Sequence, residues 1–425
     1  MLKLFFSMKK PYLFFFIPII FLGNPAPIEI DEPDLIGPDL RLSAMGDIGI
    51  VITGFTNEIN SYDFGELGAG IIEDNEGNSY FLIPGIFGSD MTEEIYEQKE
   101  LYMDKLSCSG YTKITDRNVF GISGGIYRKR ARFHSWGDMS VVKSNYKNLN
   151  DTLIFAHRFN QLIAGFRGGY DTQEKIEKHF YGLSNYKTNI LHGEPSLIFK
   201  TRDNLWTLGF GYEYERLRQE FAHYGEEVSL IQTLKVPLIF TNPSTNLGIK
   251  FNFQLAKSPF DTTIQEGGLV KIQLLDKIRL NEDKYLMFGL VTGWEDQFTY
   301  RDLDFKENKQ LTIGFGLSYV KIVGIQYEHE IHEYGWTSIH FNRFTQGCEV
   351  FLTNQLPIRL GYSFGFASQG SRYYSNELES ILSAGLGFYP NDSKIKIDIA
   401  GRLNFYRYDN WWYTYLSFGI CFKSF

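Results

Sequence analysis

Cysteine is nearly absent: Cys108, Cys348 and Cys421 are the only three in 425 residues. Their odd number and lack of ligand spacing argue against a disulfide framework and a structural zinc site. Beyond the first 25 residues no apolar run reaches the length of about 18 that a spanning helix needs. Positive charge is not in excess either. The net charge is -8, spread along the chain, which argues against a nucleic-acid partner. The zinc-protease helix motif is missing as well, because His329 and His332 stand three apart where that motif needs four.

Aromatic residues and glycine are what the chain has in quantity, with 37 Phe, 27 Tyr and 41 Gly. From about residue 118 onward they fall into period-two alternation, which is the spacing of a strand with two different faces. Over residues 205–215, Trp206, Leu208, Phe210, Tyr212 and Tyr214 oppose Thr207, Gly209, Gly211, Glu213 and Glu215. Leu247, Ile249, Phe251, Phe253 and Leu255 oppose Gly248, Lys250, Asn252 and Gln254. Leu311, Ile313, Phe315, Leu317 and Tyr319 oppose Thr312, Gly314, Gly316 and Ser318, and Ile395, Ile397, Ile399, Leu403 and Phe405 oppose Lys394, Lys396, Asp398, Arg402 and Asn404. Further runs lie at residues 162–170, 228–240, 268–280, 284–294, 357–366 and 381–389, while 118–129, 151–158, 194–201 and 322–353 are ambiguous.

Asn160-Gln161, Arg202-Asp203-Asn204, Asn281-Glu282-Asp283 and Asn391-Asp392 read as hairpin turns, and hairpins mean antiparallel neighbours. The longer polar joins 295–307 and 367–378 then belong to the opposite rim. A soluble β-sandwich also alternates. Glycine is poor in an exposed sandwich strand, however, and an exposed apolar sheet in lipid must close on itself. The expected fold is all-β: a transmembrane antiparallel outer-membrane β-barrel of about 14 strands.

The ends carry targeting features. Lys9 and Lys10 precede an apolar run from Tyr12 to Leu22 and a small-residue exit, so residues 1–26 read as a signal peptide. Residues 27–40, acidic with Pro33 and Pro38, read as an extended arm; 41–110 as a luminal plug segment; and 111–425 as the barrel. Within the plug, residues 91–105 have helix-forming composition. At the other end Leu416, Phe418, Ile420 and Phe422 share one strand phase, with Phe425 in the other. This tail resembles the terminal signal by which the barrel-assembly machinery recognises its substrates, and Trp411, Trp412 and Tyr413 suit an interfacial girdle against outer-membrane lipids.

Candidate chemistry is sparse. Tyr327-Glu-His-Glu-Ile-His-Glu333 is the densest titratable cluster; as a strand it puts Glu328, Glu330 and His332 on one face and Tyr327, His329 and Ile331 on the other. That favours a polar luminal strand over a metal site. Ser184, His192, Asp203 and His223 have the residue types of a hydrolase but no linking pattern, so no enzyme activity, cofactor or metal is expected. The lumen-facing charges Arg167, Glu213, Glu215, Lys250, Lys271, Arg359, Lys396, Asp398 and Arg402 are of mixed sign, whereas ion selectivity would favour a single-sign ring.

Arg41, Ser43, Met45 and Gly46, followed by Asn57, Asn60, Gly65 and Gly68–Gly70, resemble the opening of the family of the long-chain fatty acid transporter FadL and the PorV-like proteins. Lys235-Val-Pro-Leu-Ile-Phe240 is similar to its Pro-containing strands, although its Asn-Pro-Ala-Gly segment is absent here. The resemblance implies a barrel in the bacterial outer membrane, an N-terminal luminal hatch and passage of a hydrophobic small molecule. The alternatives are a PorV-like structural or secretion-associated platform without transport, and a general porin.

Overall fold

In a computed structural model of the chain, the described residues are Ala44, Met45 and those from Asn78 to Ser424 apart from short segments at 92–99, 135–140, 180–181, 222–224, 258–263, 281–283, 302–303, 320–322, 335–336, 370–375, 391–394 and 409–410. The signal peptide, the arm, most of 41–77 and Phe425 therefore lie outside the described residues.

Nine strands form the first half of a single sheet: β1 (Asn78–Met91), β2 (Glu100–Thr115), β3 (Asn118–His134), β4 (Val141–Phe159), β5 (Leu162–His179), β6 (Gly182–Lys200), β7 (Trp206–Phe221), β8 (Gly225–Thr241) and β9 (Thr245–Lys257). The second half is β10 (Ile264–Arg279), β11 (Tyr285–Arg301), β12 (Asp304–Tyr319), β13 (Val323–Tyr334), β14 (Thr337–Thr353), β15 (Leu356–Gln369), β16 (Asn376–Phe388), β17 (Ile395–Tyr408) and β18 (Trp411–Ser424). Each strand pairs antiparallel with its sequence neighbours, and β1 pairs with both β2 and β18. Every strand thus has a bonded neighbour on each side.

The faces are inverted relative to a soluble protein. Leu153, Phe155 and Phe159 of β4, Leu162, Phe166 and Tyr170 of β5, Leu191, Leu197 and Phe199 of β6, and Trp206, Phe210 and Tyr212 of β7 are exposed. Glu194, Lys235, Lys250, Gln254, Arg359 and Arg402 are buried on the opposite face. A sheet that shows its oily side and hides its polar side wraps around the polar side, with lipid as the natural medium outside. The outer apolar run covers about nine residues per strand, for instance 206–214. At about 3.3 Å per residue and a tilt of about 40° it spans roughly 20–25 Å, the height of a hydrocarbon belt. On β7 it is followed by exposed Arg216, Arg218 and Glu220.

Four expectations are corrected. The structure has 18 strands rather than about 14, partly because β1 and β2 come from residues read as plug. The sheet therefore begins at Asn78, not at 111. The helix expected over 91–105 does not form where the chain is described: Met91 ends β1 and residues 100–105 belong to β2, where cross-strand bonds to β3 satisfy the backbone. The join at 295–307 is not an irregular loop, since β11 and β12 stay paired out to Arg301 and Asp304. Short turns do lie on one rim, where Asn160 and Asn204 adopt the left-handed φ that asparagine tolerates.

Candidate luminal site

Four adjacent strands each send one charged side chain inward at mid-height. Arg167 of β5 donates to Glu194 of β6 at 2.8 Å and to Glu213 of β7 at 3.2 Å. Lys235 of β8 reaches the same two carboxylates at 3.0 and 2.8 Å. These two cations and two anions staple four strands together, with Glu215, the next inward residue of β7, as a further acid beside them. Sequence reasoning found Arg167 and Glu213 but missed Glu194 and Lys235, whose neighbours Pro195 and Pro237 interrupt the strand signal.

A second network sits near the short-turn rim. Arg359 of β15, 1% exposed, donates to Glu349 at 2.6 Å, to Asp398 at 2.5 Å and to the Tyr389 hydroxyl, which itself donates to Asp398 at 2.8 Å. Lys396 lies over the Tyr389 ring, 5.5 Å from its centroid. Tyr389 follows β16 in the turn, where burial first and the Asp398 charge second hold its phenol protonated well above the ordinary range. It therefore remains a donor to Asp398.

The N-terminal segment touches this wall. Ala44 and Met45 are both 0% exposed; Ala44 packs with Ala400 and Cys421, inward residues of β17 and β18. A Cβ built on Gly347 would collide with the Met45 carbonyl, and one on Gly385 with the Ala44 methyl. These inward glycines make room for residues of the motif that carries the family resemblance. Gly347→Val is expected to lift residues 44–45 off the wall. Limited proteolysis should then cut within 41–77 several-fold faster while the barrel keeps its heat-modifiable mobility on gels.

Nearer the long-hairpin rim the inner wall carries an apolar cluster among buried polar side chains such as Thr188, Gln219 and Ser229. Ile190 of β6, Leu217 of β7, Ile231 of β8 and Ala256 of β9 form a cluster closed by Phe298 of β11. Phe298 arrives there by an unusual route. The last β10–β11 pair is Gly268 with Asp296, after which the β11–β12 hairpin continues alone. A Cβ on inward-facing Gly267 would collide with the Asp296 carbonyl and press on the Phe298 ring, so the hairpin crosses over the inner side of β10. Gln254 of β9 holds it: its Oε1 accepts the Phe298 N–H at 2.5 Å and its Nε2 donates to the Phe298 carbonyl at 3.0 Å.

The remaining predicted residues scatter. Tyr327 and His329 face outward and share the Asn342 oxygen at 2.7 and 2.8 Å, on the face opposite Glu328 and Glu330. His192 lies in the charged wall, near Thr152 at 3.5 Å. Asp203 is in a turn at the other rim, bonded to Thr201 and Leu205, which hold its carboxyl below the usual range. The Ser184 side chain and His223 lie outside the described residues, so the structure assembles no triad from these four. Leu416, Phe418 and Phe422 are exposed on the outer face of β18, with Ile420 in the same phase.

No family model matches the chain, and no curated protein matches it. The fold is similar to that of several solved membrane channels and receptors. The CymD monoaromatic hydrocarbon channel is 11% identical, with 92% of this chain and 98% of that chain covered and a TM-score of 0.43. The Pseudomonas putida toluene transporter TodX is 11% identical over 92% and 98%, with a TM-score of 0.41. The siderophore receptor PirA from Pseudomonas aeruginosa is 9% identical over 81% and 80%, with a TM-score of 0.43.

Proposed function

We propose that the chain forms a closed transmembrane β-barrel in the bacterial outer membrane and passes hydrophobic small molecules passively, as FadL-like transporters do. The observation that carries this reading is the contiguous apolar patch of Ile190, Leu217, Ile231 and Ala256 on an inner wall that also buries Glu194, Lys235 and Gln254. Water-facing wall gains nothing from such a patch, whereas an apolar solute crossing a polar lumen gains a resting place. Residues 41–77 act as the hatch, with Ala44 and Met45 as its contact on the wall. Outer-membrane lipids surround the belt, the β18 tail engages the assembly machinery, and no catalysis or cofactor is assigned.

The test is uptake of a radiolabelled apolar solute into proteoliposomes with a lipopolysaccharide outer leaflet, compared with a sugar of similar size. Ile231→Asp places a charge in the patch and is expected to cut apolar uptake at least about tenfold, because an unpaired buried charge costs several kcal/mol. Sugar permeation should stay unchanged. Equal loss of both solutes, or of neither, removes the patch from the route.

A platform without transport is the second reading, and the outer face of β14 favours it. Asn342, Gln346 and Cys348 share the outer face of the strand with exposed Phe344, a polar stripe inside the belt that a partner protein would shield from lipid.

A further inference from the structure

We propose that His329 and His340 form a two-imidazole site for a divalent transition-metal ion such as zinc, on the outer face of the sheet at the long-hairpin edge of the apolar belt. The site faces away from the lumen and is independent of the transport reading.

Register brings the pair together. His329 pairs with Asn342 and Ile331 with His340, so the two histidines are diagonal neighbours on the outer faces of β13 and β14. Their ring centroids stand 5.6 Å apart, with the ring planes inclined at 34°. A zinc ion about 2.05 Å from a ring nitrogen lies about 3.2 Å from that ring's centroid, so two imidazoles on one tetrahedral ion have centroids roughly 5.2 Å apart. The rings already stand close to that spacing, and a modest turn about their side-chain torsions closes the rest.

Asn342 prepares one of the ligands. Its Oδ1 accepts the Tyr327 hydroxyl at 2.7 Å and lies 2.8 Å from His329 Nδ1. An amide oxygen has no proton to give, so Nδ1 carries the hydrogen and Nε2 keeps its lone pair. A carbonyl oxygen on the far nitrogen is the usual support of a metal-bound histidine, which it orients and makes more basic. His340 has no hydrogen-bond partner among the described residues, so nothing there holds its ring against turning.

Height on the wall sets the access. His329 lies level with Ile313, and Ile331 and His340 with Leu311, beyond which Lys309 takes the outer phase. Both rings are half-buried, at the edge of the belt where interfacial water begins. Among the described residues no third histidine, cysteine or carboxylate completes the site, so a four-coordinate ion keeps two positions for water. Imidazole donors without carboxylates suit zinc, copper or nickel rather than calcium or magnesium.

The test uses the full chain in lipid nanodiscs, without an affinity tag. Zinc titrated against a chromophoric chelator should reveal one site per chain, which His329→Ala and His340→Ala each weaken at least about tenfold. Asn342→Leu should weaken it about tenfold while both ligands remain. His332→Ala, whose place on β13 is in the opposite phase, should change nothing. Copper(II) reports on the unaltered chain: its electron paramagnetic resonance spectrum should show two coupled nitrogens, and one in either histidine variant. Heat-modifiable mobility checks that every variant is folded. No zinc binding by the unaltered chain, a single-nitrogen spectrum, or unchanged affinity in the two histidine variants overturns the site, and so does loss of binding in His332→Ala. Unchanged affinity in Asn342→Leu overturns the part given to the amide.

Discussion

Deleting residues 27–77 is expected to turn a closed protein into a conducting one. In planar bilayers the full chain should show little steady conductance, and the deletion should give stepwise openings, as the hatch proposal requires of the segment whose Ala44 and Met45 rest on the wall. The endpoint matters. Extending the deletion to 110 removes all of β1 and most of β2, leaving β18 and β3 with unpaired edges that lipid cannot satisfy. That longer deletion should fail to fold, seen as loss of heat-modifiable mobility. If the 27–77 deletion folds and stays closed, the lumen is filled by its own wall and the platform reading replaces transport.

The second large effect is predicted for Arg359→Leu. Arg359 pairs with both Glu349 and Asp398 in a buried setting, so its removal takes one shared cation from two carboxylates. Breaking a buried pair of this kind costs about 3–5 kcal/mol. Urea unfolding of the refolded barrel should show that loss, and adding Glu349→Gln with Asp398→Asn should recover most of it. A loss below about 1 kcal/mol, the level of a surface pair, means the network is hydrated in solution.

The strands that were legible are those whose two faces differ most. In β7, β9, β12 and β17 an oily face alternates with glycine or charge over the whole belt, so phase and sidedness follow directly from sequence. β1 was hidden because its register shifts between Leu82 and Gly85, around Pro84, and a one-residue shift inverts the alternation. The upper halves of β5 and β6 were hidden for another reason: past Tyr170 and Leu191 both faces meet polar surroundings, so no period survives although pairing continues to His179 and Gly182. β14 escaped because its outer face carries Asn342, Gln346 and Cys348.

The candidate site divides the same way. Inward charges could be named from phase alone, but their partners could not, since Arg167 meets Glu213 across 46 positions and Arg359 meets Asp398 across 39. Phe298 is the sharpest case: it falls in the stretch 295–307 read as a polar join, yet it lies in β11 and packs on the inner wall. Sequence by itself determined that this chain is a two-faced antiparallel sheet with oil outside and charge inside, because side-chain alternation is a local property of the extended backbone. Only the tertiary structure decided how many strands the sheet holds, which charges neutralise one another and where the hairpin folds. Those depend on register and on contacts between residues far apart in the chain, which no local pattern encodes.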